Sequence, residues 1–307
     1  MDASRTGYVN TYVLRDRQVS GGARRWAIAA VWTCLSILIL EPARSGMNYG
    51  HIEFVLMFLV VADLLVVPAR FRGIALGLAS AIKLTPLVFV VVLLVRRDFR
   101  SSFQAVGSFL VLTVGTWLLC PNLSRLFWDK DVVHPARVGT VNYGGNQSWY
   151  AVLHRSPFPA TGSTVLWLLL SLATLGVGAF VAWRSVSQDR QVFAVVAVAL
   201  AGLLISPISW THHWTWVILL APMVVGPRRW DIPGPVRILI WGLVGITVVG
   251  PYWWFSSGVA ADLVDALLPV WTFGVLATWA ALEYRTWRSS VPHAIDGRDS
   301  LAIKKSV

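Results

Sequence analysis

The stretch Ser206-Pro-Ile-Ser-Trp-Thr-His-His-Trp214 sets two adjacent histidines in a polar, aromatic turn between two apolar runs. His212 and His213 can accept a proton or meet an anionic group; equally, they can be polar tips in an aromatic belt with Trp210, Trp214 and Trp216. Neighbouring residues on a helix point about 100° apart, so the pair is poorly placed to ligate one ion, and no metal is expected. Lys83 lies inside an apolar run, where an ammonium is costly unless it faces a polar partner or snorkels from the tip of a turn. His51 and Glu53 open another run, where a carboxylate at a helix N-terminus is already favourable electrostatically. In Gly144-Gly-Asn-Gln-Ser148 the glycines permit a tight backbone, and Asn146 and Gln147 carry donors and acceptors suited to sugar hydroxyls. An ordinary turn has the same composition.

These groups must be held by a chain built for lipid. Of its 307 residues 56% are hydrophobic and 13% charged, against about 25% charged in a usual soluble domain. That is too little charge to cover a soluble surface, and the chain reads as an all-α, polytopic membrane bundle. Twenty-six Lys and Arg against fifteen Asp and Glu give a net charge of +11. The cations cluster at the ends of apolar runs, which marks topology and not a nucleic-acid surface. Cys34 and Cys120 sit in apolar runs without a paired spacing and read as packing residues.

Residues 1–25 form an arginine-rich leader expected in the cytosol, 26–283 the transmembrane bundle, and 284–307 a cytosolic basic tail. Apolar runs open at 26–40 and 52–67; Asp63 in the second is placed to pair with Arg70 or Arg72. The run 73–95 has arginines at both ends, Arg70 and Arg72 before it and Arg96, Arg97 and Arg100 after it. A single crossing would leave one cluster outside. Lys83-Leu-Thr-Pro86 interrupts the helix, so a segment that enters, turns there and returns satisfies both clusters; a kinked span is the alternative. Further runs at 103–120, 165–183, 192–205, 214–225, 236–249 and 263–282, with Arg228 and Arg229 behind the fourth, make about eight full crossings plus the broken segment at 73–95. The loop 121–161 is too long for a mere connector. With the N-terminus inside, it shares the outer face with the turns at 41–51, 206–213 and 251–262. No internal repeat suggests an inverted-repeat transporter.

Taken together, Gly73-Ile-Ala-Leu-Gly77, Ala81-Ile-Lys-Leu-Thr-Pro-Leu87 with Arg96-Arg97, Gly145-Asn-Gln-Ser148 with Arg155, and the Ser206–Trp214 turn resemble the integral-membrane mannosyltransferases of glycosyltransferase family 87, the DUF2029 group of actinobacteria. The resemblance spans roughly residues 48–225. It implies a GT-C architecture in the plasma membrane, with the site on the extracytoplasmic face. It also implies a polyprenyl-phosphate-mannose donor and no cofactor. The acceptor would be an envelope glycolipid such as phosphatidylinositol mannoside, lipomannan or lipoarabinomannan, extended with α-1,2-linked mannose. Carried over motif by motif, Lys83 and Arg155 would meet the lipid phosphate, His212 and His213 would line the reacting centre, and Asn146, Gln147 and Trp210 would shape the sugar pocket. Relatives carry a catalytic aspartate in an outer loop that this chain begins too late to contain, so it reads as N-terminally truncated. Where relatives tend to have Gly-Gln-x-Asn, this chain has Gly50-His-Ile-Glu53, and His51 with Glu53 are candidates to replace the missing base.

Overall fold

The computed structural model describes residues 30–290, apart from 32–33, 133, 135–138, 158, 221–222, 224–231 and 256. The leader, residues 291–307, Arg228 and Arg229 lie outside the described residues. Those described form helices and turns without a strand. In order they are α1 (Glu41–Asn48), α2 (Glu53–Leu65), α3 (Ile74–Ile82), a 3-10 turn (Thr85–Phe89) leading into α4 (Val90–Val95), and α5 (Phe99–Leu119). Then come α6 (Pro121–Leu126), α7 (Trp149–Arg155), α8 (Ala160–Ser187), α9 (Gln191–Ile205), a 3-10 helix (Thr211–Leu219), α10 (Gly234–Val249), a 3-10 turn (Pro251–Trp253) and α11 (Val259–Ser290).

Four helices are long and apolar enough to cross a membrane: α5, α8, α10 with the turn after it, and α11. A fifth span arises if α1 and α2, bent by 117° at their junction, count as one. Among the described residues this is four or five where about eight crossings were expected. Parts of the expected runs at 26–40 and 214–225 lie outside the described residues, the run at 73–95 is broken, and the run at 192–205 is a helix of fifteen residues. α11 continues to Ser290, so the first residues assigned to the tail are helical.

α9 explains why the bundle holds together. Eleven of its residues are buried, on every side, as in a helix enclosed by others. One face packs Phe193, Leu200 and Leu204 with Trp214, Tyr252 and Trp279; the other packs Ala194, Val195 and Val198 with Leu56, Phe89 and Val92. α5 lies outside and leaves Phe103, Val111, Leu118 and Leu119 more than two-thirds exposed, an apolar face suited to lipid. Cys34 and Cys120, expected to pack, are exposed.

The segment 73–95 doubles back. Its feet meet, because Arg72 Nη1 bonds Asp98 Oδ2 at 3.1 Å and Arg96 Nη1 donates to the Leu64 carbonyl at 2.8 Å. Asp63 does not pair with Arg70 or Arg72 as expected; its carboxylate accepts the amides of Gly73 (2.6 Å) and Ala75 (3.3 Å) and caps α3. Gly73 (φ +98°) starts α3 against α5, where a Cβ would lie 2.9 Å from the Ala105 amide. One turn on, a Cβ on Gly77 would lie 2.5 Å from the Ala105 carbonyl, so the two backbones touch. The far end of this hairpin is Lys83. At the feet end, α8, α9 and α11 are joined by Glu283, which takes Gln188 Nε2 at 2.6 Å, Arg184 Nε at 3.5 Å and Arg190 Nη1 at 3.9 Å.

Candidate active site

Three helix breaks meet at the end of the bundle opposite Glu283: the turn after α1, the break after α3, and the turn after α9. Pro86 cannot donate to a helix and disfavours helix at Thr85, and Lys83 is extended there (φ −148°, ψ 132°). Its ammonium donates to Glu53 Oε1 in a short ion pair and lies 3.0 Å from His213 Nε2. His213 Nε2 is in turn 3.3 Å from the same Glu53 oxygen. The Glu53 and His213 side chains are 9% and 11% exposed, and Lys83 28%. A carboxylate so enclosed needs its cation, and His213 Nε2 lies where it can accept from the ammonium.

His51 stacks on His212, ring centroids 3.6 Å apart and 7° from parallel, with Tyr49 against both. Burial first, then His51 and Lys83, pull His212 down to about 3, and burial with Lys83 also lowers His213. An unfolded chain takes up protons below the ordinary histidine value of 6.5 that the folded chain refuses. The stabilisation is therefore complete above pH 6.5 and is lost as the pH falls toward about 3. The thermal midpoint in detergent should drop across that interval, and drop less in His212→Phe, which keeps the stack. Equal drops would show that His212 is not the group responsible.

A small cleft opens beside these groups. Glu53, Ser206, Ser209 and His213 line its polar part, and Leu56, Val88, Phe89, Leu203 and Trp216 its apolar wall.

The expected sugar-binding amides have other work. Asn146 is fully buried; its Oδ1 accepts the Ser209 amide at 2.9 Å, and its Nδ2 donates to the carbonyls of Val141 and Pro207, both at 3.2 Å. Gln147, also buried, donates its amide to the Ser209 carbonyl at 2.8 Å and its side chain to the Gly144 carbonyl at 2.6 Å. Trp210 pairs with Asn146 in a single antiparallel bridge. Ser148 caps α7 through the Ala151 amide and also bonds the Pro207 carbonyl. Arg155, expected at a phosphate, donates to the carbonyls of Tyr143 (3.3 Å), Asn146 (3.1 Å) and Asp265 (3.4 Å), with its Nε 3.9 Å from the Asp265 carboxylate. Its side chain is 5% exposed. These residues fasten the 139–148 loop to the turn that carries the histidines.

Sequence reasoning missed Glu41 and Asp265. Glu41 accepts three side-chain donors: Thr211 Oγ1 (3.2 Å), Tyr252 OH (2.7 Å) and Trp253 Nε1 (3.1 Å). A Glu-Pro pair opening a short helix carries no sign of this. Glu53, His212 and His213 each offer a ligand atom, all within 4.8 Å of one another, and could hold a divalent ion. The Lys83 ammonium already supplies a cation between Glu53 and His213, so an ion there would have to displace it.

Comparisons with known proteins bear on the family of the chain. Residues 7–207 match the model of glycosyltransferase family 87. A polyprenol-phosphate-mannose-dependent alpha-(1-2)-phosphatidylinositol mannoside mannosyltransferase of Mycolicibacterium smegmatis is 33% identical over 261 residues, 81% of this chain and 53% of the relative. A Mycobacterium tuberculosis polyprenol-phosphate-mannose-dependent alpha-(1-2)-phosphatidylinositol pentamannoside mannosyltransferase is 34% identical over 276 residues, 88% of this chain and 61% of the relative. The chain thus spans between half and two thirds of these curated relatives. No solved structure matches it. With the family model covering well over half of the chain, and with Lys83 and the histidine turn within or beside the matched region, the chain belongs to glycosyltransferase family 87.

Proposed function

We propose that the chain forms the transfer site of a GT-C-type mannosyltransferase that moves mannose from a polyprenyl phosphate to a phosphatidylinositol mannoside in α-1,2 linkage. The observation that carries this is the Lys83–Glu53–His213 cluster at the polar part of a cleft with an apolar wall. In the reaction Glu53, held beside Lys83, takes the proton of the acceptor hydroxyl. The freed oxygen attacks the anomeric carbon with inversion, and the bond to the phosphate oxygen breaks. Lys83 turns from Glu53 to the departing polyprenyl phosphate, whose growing charge it offsets. The apolar wall of Leu56, Val88, Phe89, Leu203 and Trp216 suits the first isoprene units. Asn146, Gln147 and Arg155 serve by holding the turn that bears His212 and His213. Arg72, Arg96, Arg184 and Arg190 gather at the opposite end, which the positive-inside rule assigns to the cytosol, so the site faces outward.

The names of the relatives support donor and acceptor. Membranes containing the chain should transfer label from polyprenyl-phosphate-mannose to phosphatidylinositol mannoside. Donor binding without transfer would leave a lipid-phosphate-binding protein, the reading favoured by the ammonium already resting on Glu53.

A further inference from the structure

Beside the cluster, aromatic rings from three separate parts of the chain meet, and one of them holds a carboxylate. Tyr143 comes from the 139–148 loop, Trp210 from the turn after α9, and Trp253 from the turn after α10. Tyr143 stands 5.5 Å from Trp210 and 5.8 Å from Trp253, centroid to centroid, with planes tilted by 58° and 51°. The three therefore form one contiguous aromatic wall. Tyr143 and Trp253 are 51% and 44% exposed, while Trp210 is only partly exposed. At the foot of the wall is Glu41, held by the Trp253 indole N–H, the Tyr252 hydroxyl and Thr211, the neighbour of His212.

The seat of the wall is fitted closely. A Cβ on Gly145 would lie 2.8 Å from the Tyr143 ring and 2.9 Å from Trp253, and one on Gly139 2.8 Å from Trp210. An interfacial aromatic belt spreads its rings around a perimeter toward lipid. Here they turn toward one another, and one indole N–H is directed at a carboxylate. Tilted ring faces beside a carboxylate match a hexopyranose, which offers axial C–H groups to a π face and hydroxyl donors to an anion.

We propose that Tyr143, Trp210, Trp253 and Glu41 form a saccharide subsite that holds the mannosyl end of the acceptor beside His212. This rests on the transfer reading above, and deepens it by assigning the acceptor's sugar its own residues. The rings stack on the sugar, and Glu41 takes one of its hydroxyls while Tyr252 and Thr211 keep the carboxylate in place.

The test reads sugar binding without turnover. The purified full chain in detergent is titrated with methyl α-mannoside and with an α-linked mannotriose, followed by saturation-transfer NMR. Tyr143→Ala and Trp253→Ala should each weaken binding about tenfold, the loss of roughly one stacking contact. Trp254→Ala, at a 63% exposed tryptophan at the same end of the bundle, should bind as the unaltered chain does. In the transfer assay the two ring deletions should raise the acceptor KM and leave the donor KM unchanged. No binding by the unaltered chain, equal losses in Trp254→Ala, or unchanged binding in Tyr143→Ala would overturn the subsite and return these rings to the interface. Binding with no mannose transfer would overturn the enzymatic reading and leave the subsite standing.

Discussion

Lys83→Met is expected to lower the rate of mannose transfer by roughly 10²–10³-fold, the cost of deleting one preorganised electrostatic contact to a developing charge. Methionine keeps the length and apolar stem of the side chain and removes only the ammonium. Two functions then disappear together. The departing phosphate loses its cation, and Glu53 and His213 lose the group that lies between them at hydrogen-bond distance from both. Lys83→Arg keeps a charge but replaces a compact ammonium with a planar fork, and should recover only part of the rate. Initial rates at matched protein levels, with donor and acceptor varied separately, check this. A wild-type rate in Lys83→Met would remove the lysine from the reaction.

The second large effect concerns the base. Glu53→Gln should reduce kcat by about 10²–10⁴-fold, the usual worth of a positioned general base, with little change in donor KM. Glutamine preserves shape and an acceptor oxygen for Lys83, so loss of activity with unchanged expression isolates the missing charge. The two substitutions touch one network and should not add: the Lys83→Met, Glu53→Gln double variant should fall near the worse single variant. Full activity in Glu53→Gln would exclude Glu53 as the base.

Part of this site is legible in the amino-acid sequence. An ionisable group inside an apolar run is expensive, so Lys83 stands out from position alone, and arginines on both sides of 73–95 with Pro86 between them point to a turn. The company Lys83 keeps is not legible there. Its partners lie 30 and 130 residues away, and only the folding of α2, α3 and the 211–219 helix onto one another brings them together. The partners of Asn146 and Gln147 are not legible either, because an amide in a glycine-rich loop looks the same whether it faces a ligand or, as here, bonds the backbone. Arg155 is a related case, since a guanidinium binds carbonyls as well as a phosphate, and here it meets three. Hydrophobic composition reports what a segment touches, not whether its helix is unbroken, so it does not by itself count crossings.

The hairpin that ends at Lys83 also acts as a ruler. Its feet are pinned by the Arg72–Asp98 pair and by the Asp63 cap, so the nine residues of α3 alone determine how far the ammonium reaches. Each residue of helix contributes about 1.5 Å and about 100° of rotation. Deleting one residue from α3 would retract the charge by little more than a bond length and swing it around the helix, away from Glu53. Adding one full turn would push it outward by about 5.4 Å with its heading nearly kept. The reach of the ammonium is therefore set by the residue count of α3 and by the side chains that pin its feet at the opposite end of the molecule.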